Sequence, residues 1–532
     1  NNTALGFEAL TANTTGASNT ALGSQTLEAN TDGNNNTAVG FLALFANTSG
    51  STNVAVGENC AVSNTTGTDN TVVGSYAFYA NTTGSDNCAF GAHALDANTG
   101  GVENVAIGRH AMADNTTGNS NVAVGHQALD DNTTGSGNVA IGNHACMNNH
   151  DGSNLVAVGD SALETLGTSS SNNTAVGAHA MQNATTAESC VAVGSQAMDA
   201  LTTGGNNTAV GHNGLGAVTT GAQNTAVGSL ALQSLTIGGT CAAFGYASLK
   251  LNTAEQNSAF GANSLTASTT GIQNCAFGYN SLRQSTTASR NTAVGWRTMD
   301  ATTTGSSNTA IGDQALYANT TGSNNVAVGH QALVAHTTGY ENVAIGPRAG
   351  DQLTDGYRNV FIGEDAGDDV TTGNNNTIIG RQTDAGASNA ISVIVIGAAL
   401  TGKGDATAFI GGTSGVYNAD NTSTWQTTSD IRIKKNIVDN NTGLEKIKQI
   451  RVRNFEYRTP EEVDPALPSH AAIDKQGTQV GVIAQEIQEV LPDVVRQTSL
   501  GCYSVNPDNL TWYLVNAVKE LAAEVEKLKN GS

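Results

Sequence analysis

Charge is scarce in this 532-residue chain: 12% of its residues are Asp, Glu, Lys or Arg, aromatics make up 5%, and only 6 are proline. Ordinary globular domains carry about 25% charged residues, so the length does not divide naturally into three or four domains of the usual kind. Basic side chains are the scarcest class, 22 against 44 acidic, and the net charge of -22 excludes nucleic acid or an anionic membrane as the expected partner. Long apolar runs are missing as well. The longest, residues 391–400, is broken by Ser392 and Gly397, far short of the roughly 18 apolar residues a membrane span needs, so no membrane insertion is expected in this segment. The 7 cysteines are scattered and form no CxxC pair, which leaves neither a disulfide framework nor a zinc site. They are expected to be free thiols, with Cys88 and Cys275 standing in for Thr as small buried hydrophobes. An initial Met is absent: the chain opens at Asn1, partway through a repeat, and a virion-docking domain or a membrane anchor is expected upstream.

What the sequence has instead is glycine, 62 of them, and a period. Glycines closing an NTAVG-like pentapeptide fall at 6, 23, 40, 57, 74, 91, 108, 125, 142 and 159, a spacing of 17 each time. One step of 18, to Gly177, and one of 16, from Gly245 to Gly261, cancel, and the beat continues to Gly397, which places 24 glycines on one lattice. A further copy ends at Gly411 after 14 residues, as a shortened terminal coil would. A short repeat held to one period is a rung that cannot bury its own face and must stack on its neighbours, and 17 residues are too few for a helix pair. The residue before each glycine is Val, Ile, Leu or Phe, the residue two places earlier is mostly Thr or Val, and Ala usually stands between. That alternation predicts a short strand. We expect the outer two to point into the coil and the Ala to face outward, leaving room for a second surface. A second strand is expected at the Ala-Leu pair, as at Ala43 and Leu44, with NTTG turning the chain back.

Stacked at the strand spacing, 24 coils extend on the order of 115 Å. The Asn opening each pentapeptide should then form a ladder of amides bonded up and down the stack. The recurring Asn-x-Thr sequons, such as those at Asn13, Asn81 and Asn132, are read as turn chemistry rather than glycan acceptors. His93 and His110, one period apart, are expected to stack without forming a metal site. No GGxGxD calcium repeat occurs, and Thr alternates with Val too irregularly for an ice-binding face. No metal or cofactor is expected. The array resembles the β-roll heads of trimeric autotransporter adhesins, with their SVAIG-like repeats, and the NTALG repeats of tail-fibre proteins; that resemblance implies a trimer.

Composition changes near residue 429. The last 104 positions hold 13 of the 22 basic residues and all prolines but Pro347, while the first 428 residues carry 9 basic and 29 acidic side chains. We therefore read a mostly β chain: a β-roll or β-solenoid shaft over 1–412, a linker over 413–428, and a small α+β domain over 429–532. The tail opens TTSDIRIKKNI, in which Ser429, Asp430, Arg432, Lys434, Asn436 and Ile437 match an SDxRxKxNI pattern. Phe455 and Tyr457 of NFEYR, then GVIAQEIQEVLPDVV, then Tyr503 follow in order. On these residues the tail resembles the intramolecular chaperone auto-processing domain of phage tail spikes and endosialidases. Its close, Leu514, Val518, Leu521, Val525 and Leu528, has spacings of 4, 3, 4 and 3, the seam of a coiled-coil helix, expected over 510–529.

The resemblance implies a single-turnover self-cleavage between Thr428 and Ser429, with Ser429 as nucleophile and Lys434 as base. Lysine is a base only when neutral, and bringing its pKa from about 10.4 to about 7 requires burial. The alternative is that both are ordinary surface residues of a domain that no longer cuts. Scattered acids on a repetitive surface do not make the paired carboxylates of a glycosidase. The expected function is a homotrimeric fibre or spike shaft, on a virion tail or an extracellular surface, that attaches to a host glycan or receptor. A bacterial adhesin or filament subunit with the same cap is the alternative.

Overall fold

The computed structural model describes residues 1–167, 170–411, 416–418, 434–459, 461–462, 464–467, 476–497 and 502–531. The chain divides into two units, Asn1–Thr427 and Thr428–Ser532. The first is a parallel β-solenoid. It has 25 strands of three residues, from Thr3–Leu5 to Ala408–Ile410, and each pairs in register with the next. Val156 pairs Thr174 and Ala242 pairs Ser258, so the one-residue insertion and deletion leave the ladder unbroken. A further strand, Val416–Asn418, closes the array antiparallel to the last rung.

The glycine lattice has a steric cause. Gly40 sits at φ +132°, and a Cβ there would strike the carbonyl of Gly57 one coil on. Only glycine fits both demands.

Two expectations are corrected. The strand alternates as predicted, but with the opposite face inward: Ala38 is buried while Thr37 and Val39 are half-buried, and this pattern repeats along the array. The coil is too narrow to hold paired Val or Thr side chains. Its interior is filled by the strand Ala together with the Ala and Leu of the following arc, such as Ala43 and Leu44. Where the central strand residue grows, another shrinks. Val72 stands near Ala61 in place of the usual Leu, and Phe361 lies between Gly350 and Gly367, where a Cβ on either would strike its ring. Core volume is thus conserved coil by coil.

The second correction is that no second strand forms. Leu42 and Leu44 are left-handed, at φ +57° and +53°, with right-handed residues between. The amides of this arc therefore point alternately to the coil behind and the coil ahead: Leu42 N–H donates to Ser24 O and Leu44 N–H to Cys60 O. Left-handed leucine costs on the order of 1–2 kcal/mol, offset here by a satisfied backbone and a buried side chain.

The expected Asn ladder is present. Asn36 donates its backbone N–H to Asn19 Oδ1 at 2.9 Å and its side-chain amide to Gly50 O at 2.9 Å. A second ladder, built from the NTTG asparagines, runs beside it. Asn47 Nδ2 donates to Asn30 Oδ1 at 2.8 Å and also to Gly50 O, so one carbonyl is clamped by two amides. Asn81 and Asn132 belong to this ladder and are fully buried, which supports the turn reading of those sequons. Cys60, Cys88, Cys146, Cys190, Cys241 and Cys275 are free thiols. Burial pushes the Cys60 and Cys146 thiols up to about 12. Cys88 and Cys275, expected as buried, lie half-buried on the outward strand positions because the strand faces are reversed.

The second unit has a small core of Ile487, Leu491, Val494 and Tyr513. Three helices, α1 (Leu444–Ile447), α2 (Ala484–Val490) and α3 (Pro507–Asn530), are accompanied by two antiparallel strand pairs, Arg453–Phe455 with Gln479–Gly481 and Val495–Gln497 with Tyr503–Val505. The closing helix starts three residues earlier than expected. Asn506 caps it by accepting N–H bonds from Asp508 and Asn509, and Pro507 occupies the first turn, where its missing donor costs nothing.

Candidate functional site

Residues 440–444 are positioned by α3. Asn516, on that helix, donates to the carbonyls of Asn440 at 2.6 Å and Thr442 at 3.3 Å, and Glu520 accepts the N–H of Leu444 at 2.8 Å. Gly443 lies so close that a Cβ would meet the backbone of Asn516 and Ala517. A groove of about 750 Å³ lined by residues 438–441 on one side and Trp512, Val515, Asn516 and Lys519 on the other runs along this contact. Tyr513 donates to Asp493 at 2.6 Å and ties the helix to the small core. Residues 440–444 are therefore fastened to the closing helix.

Of the residues expected at the junction, Thr428, Ser429, Asp430 and Arg432 lie outside the described residues. Lys434, Asn436 and Ile437 are described and all three are exposed, with Asn436 left-handed at φ +56°. The α3 seam is likewise uncovered in the single chain: Leu514, Val518, Leu521, Val525 and Leu528 are between 42% and 76% exposed. Tyr513 and Ala517, on the flanking face, are buried.

The shaft carries a second uncovered apolar surface. Among its outward strand positions before the lattice glycine, Leu22, Val56, Phe90, Ile107, Ile141, Val210, Phe277, Ile311 and Ile345 are exposed, while others such as Val39, Val124 and Ile379 are half-buried. Phe244, Phe260 and Phe277 stack on successive coils at ring separations of 4.7 and 4.5 Å. His93 and His110 stack at 5.0 Å, and His93 Nδ1 lies 2.9 Å from Asp96. Among the described residues no three His, Cys, Asp or Glu side chains are arranged to hold a metal.

Two charged features were not read from the sequence. Near the end of the shaft, burial first and then the neighbouring Asp368 push the Asp384 carboxyl up to about 7. Further back, basic residues concentrate: residues 1–199 carry one basic and 16 acidic side chains, residues 200–300 four basic and two acidic, and residues 301–428 four basic and 11 acidic. Within the basic stretch Asp300, buried at 1% side-chain exposure, binds Arg283 at 2.7 Å and Arg297 at 3.0 Å. Arg297 also lies over the rings of Trp296 and Tyr317 and donates to the Tyr317 hydroxyl at 2.6 Å. The signal available in the sequence was the run of aromatics directly after lattice glycines, Tyr246, Tyr279 and Trp296, in the least acidic part of the shaft.

Against this geometry stands one comparison. Residues 429–496 match the family described as chaperone of endosialidase. The match begins at the serine of the SDxRxKxNI pattern and ends before α3, which therefore rests on its own residues and contacts. With that chaperone-of-endosialidase domain at its C-terminus behind a long parallel β-solenoid, the chain fits a tail-spike-like protein.

Proposed function

We propose that this chain is the shaft and assembly cap of a homotrimeric fibre or spike that attaches a virion, or a cell, to a surface. The observation that carries the reading is a pair of uncovered apolar seams, one on each unit: the outward strand column of the shaft and the a/d stripe of α3. Exposed apolar surface this continuous marks an interaction face. A stripe repeated at every coil is matched in length and spacing by another copy of itself. The earlier expectation that the Ala columns would meet in the trimer is withdrawn, because those alanines fill the coil interior. The contact we propose runs instead through the Thr or Val and the Val, Ile or Phe that flank them.

The cap would act at the Thr428–Ser429 bond. The Ser429 hydroxyl attacks the Thr428 carbonyl carbon; the C–N bond breaks as the C–O bond forms, and the proton passes by way of Lys434 to the released amine. Water then hydrolyses the ester, leaving a carboxylate on Thr428 and a new N-terminus at Ser429. Lys434 is exposed in the single chain, so the burial that would keep it neutral has to come from neighbouring chains. On this reading cutting reports finished assembly, and the docking of residues 440–444 onto α3 links the two events.

Native mass measurement of the full chain should return three copies, and a stable monomer would dispose of the reading. Peptide mapping should find a fragment beginning at Ser429. Ser429→Ala and Lys434→Ala should each assemble uncut, while Lys435→Ala should still cut. An intact wild-type trimer after long incubation would mean a permanent cap without protease activity.

A further inference from the structure

The basic, aromatic stretch of the shaft has the composition of a ligand site rather than of a scaffold. Tyr246, Tyr279 and Trp296 each follow a lattice glycine, so all three lie in one column on the outer side of the solenoid, and all are well exposed, Trp296 at 45%. Tyr279 and Trp296 are on successive coils, and Tyr246 lies two coils before Tyr279. Aromatic columns elsewhere on the shaft have ring separations of 4.5–5.4 Å from coil to coil, comparable to the advance of one pyranose unit along a sugar chain. Beside this column a groove of about 310 Å³ is lined by Leu251, Asn263, Thr266, Ala267, Arg283 and Gln284. Asn, Thr and Gln side chains there offer donors and acceptors of the kind that hydroxyl-rich ligands need.

The electrostatics select among such ligands. Asp300 is shared by two arginines, so the cluster keeps one net positive charge, and both guanidinium groups remain partly exposed, at 39% for Arg283 and 31% for Arg297. Asp300 holds each arginine through its Nε, and Arg283 itself lines the groove. A planar fork held in this way suits a carboxylate. Lys250 stands on the same column as Arg283, two coils back. Everywhere else on the shaft acids outnumber bases and would repel an anion.

We propose that coils spanning residues 246 to 300 bind an acidic glycan, laid along the shaft with its sugar rings on Tyr246, Tyr279 and Trp296 and its carboxylates toward Lys250, Arg283 and Arg297. The inference rests on the attachment reading above and gives it a place and a ligand class.

The test uses the full chain and two uronic-acid probes, oligogalacturonate and hyaluronan fragments, with malto-oligosaccharide as the neutral comparison. Calorimetric titration should show binding of at least one uronic-acid probe, weaker at higher salt, and none of the neutral one. Trp296→Ala should weaken it about tenfold or more, as truncation of an aromatic anchor does. Arg283→Lys, which keeps the charge but not the fork, should also weaken it. Tyr76→Ala, at an exposed aromatic in the acidic part of the shaft, should leave it unchanged. Failure of both acidic probes, equal affinity for the neutral sugar, or Trp296→Ala binding as tightly as the parent would each overturn the proposal. Native mass recorded on the same samples separates the two readings: a trimer that ignores the acidic probes refutes this site and leaves the shaft assignment standing.

Discussion

The shaft and the tail solve opposite problems. In the shaft every residue packs on its own counterpart one period away, and its polar interior is largely satisfied by ladders such as Asn19 to Asn36 and Asn30 to Asn47. The backbone hydrogen-bond lattice repeats from one coil to the next, so three shafts laid side by side could settle in many registers. The tail is the reverse. It has a core of a few side chains, Ile487, Leu491, Val494 and Tyr513, and an apolar helical edge that stays exposed among the described residues. A repetitive structure is stable but has no natural starting point; a small, irregular one supplies the starting point at the expense of needing company. The pairing of the two in one chain is therefore physically sensible.

That contrast can be broken most completely by removing α3. Deleting residues 507–532 should abolish both trimer formation and release of the fragment beginning at Ser429, while far-ultraviolet spectra keep the solenoid signature. Light scattering and mass spectrometry read the outcome, and a cut trimer without α3 would show that the seam is dispensable.

Next in size is the exchange of core volume within the shaft. Phe361→Ala should destabilise its coils by about 3–5 kcal/mol, the usual cost of emptying an aromatic site. Adding Gly350→Leu should recover part of this, because Gly350 already has the left-handed φ of +59° that leucine adopts at that position in other coils. Hydrogen exchange resolved along the array would place the loss around residues 350–367. Recovery absent from the double variant would mean that coil volume is not the conserved quantity.

A smaller effect is expected at the ladder. Asn98→Leu removes the donor to Asn81 Oδ1 and Gly101 O and the acceptor for Asn115 Nδ2. Each of those groups keeps one other partner, Asn81 Oδ1 the Gly84 N–H, Gly101 O the Asn87 amide and Asn115 Nδ2 the Gly118 carbonyl, so the cost should be about 0.5–1.5 kcal/mol for each bond removed and not that of orphaned groups. Leu201, Leu235 and Leu353 occupy the same column elsewhere and are fully buried, so the loss should lie in the hydrogen bonds removed and not in the leucine. Asn98→Leu measured in denaturant against Leu235→Ala separates these causes.

The smallest effect is in pH. The Asp384 carboxyl is pushed up to about 7, above its ordinary value of 3.8, so the folded coil binds a proton that the unfolded chain has released. Stability at this end should therefore rise as pH falls from about 8 toward 4, and Asp384→Asn should flatten the dependence. Exchange of the amides around residues 368–386 at a series of pH values checks the sign.

These contrasts also show where sequence reasoning succeeded. The lattice glycines could be read because each is fixed by two separate constraints, a φ near +130° and a carbonyl in van der Waals contact. The asparagine ladder followed from identical positions stacking. The direction of the strand did not follow. Alternation of Thr, Ala and Val says that two faces differ, but which one enters a coil depends on interior width, and that is set by Ala43 and Leu44 in another part of the repeat. The same pair was read as a strand because an apolar dipeptide has no periodicity of its own; its alternating left-handed φ leaves no signature in residue type beyond the turn that follows. At the start of α3 the signal was present, in Asn506 and Pro507, and was passed over in favour of the leucine spacing. For the cleavage pair the motif gave positions, and Lys434 lies exposed in the single chain.

One feature of the shaft bears on how such a chain changes over time. The insertion before Gly177 and the deletion before Gly261 both leave the strand ladder in register, so irregularities are absorbed in the turns and never propagate. Gene segments that recombine out of step by any multiple of 17 codons would then yield a longer or shorter product with every hydrogen bond still made. Reach becomes a quantity that can be altered in single steps of one coil, without passing through a form that fails to fold.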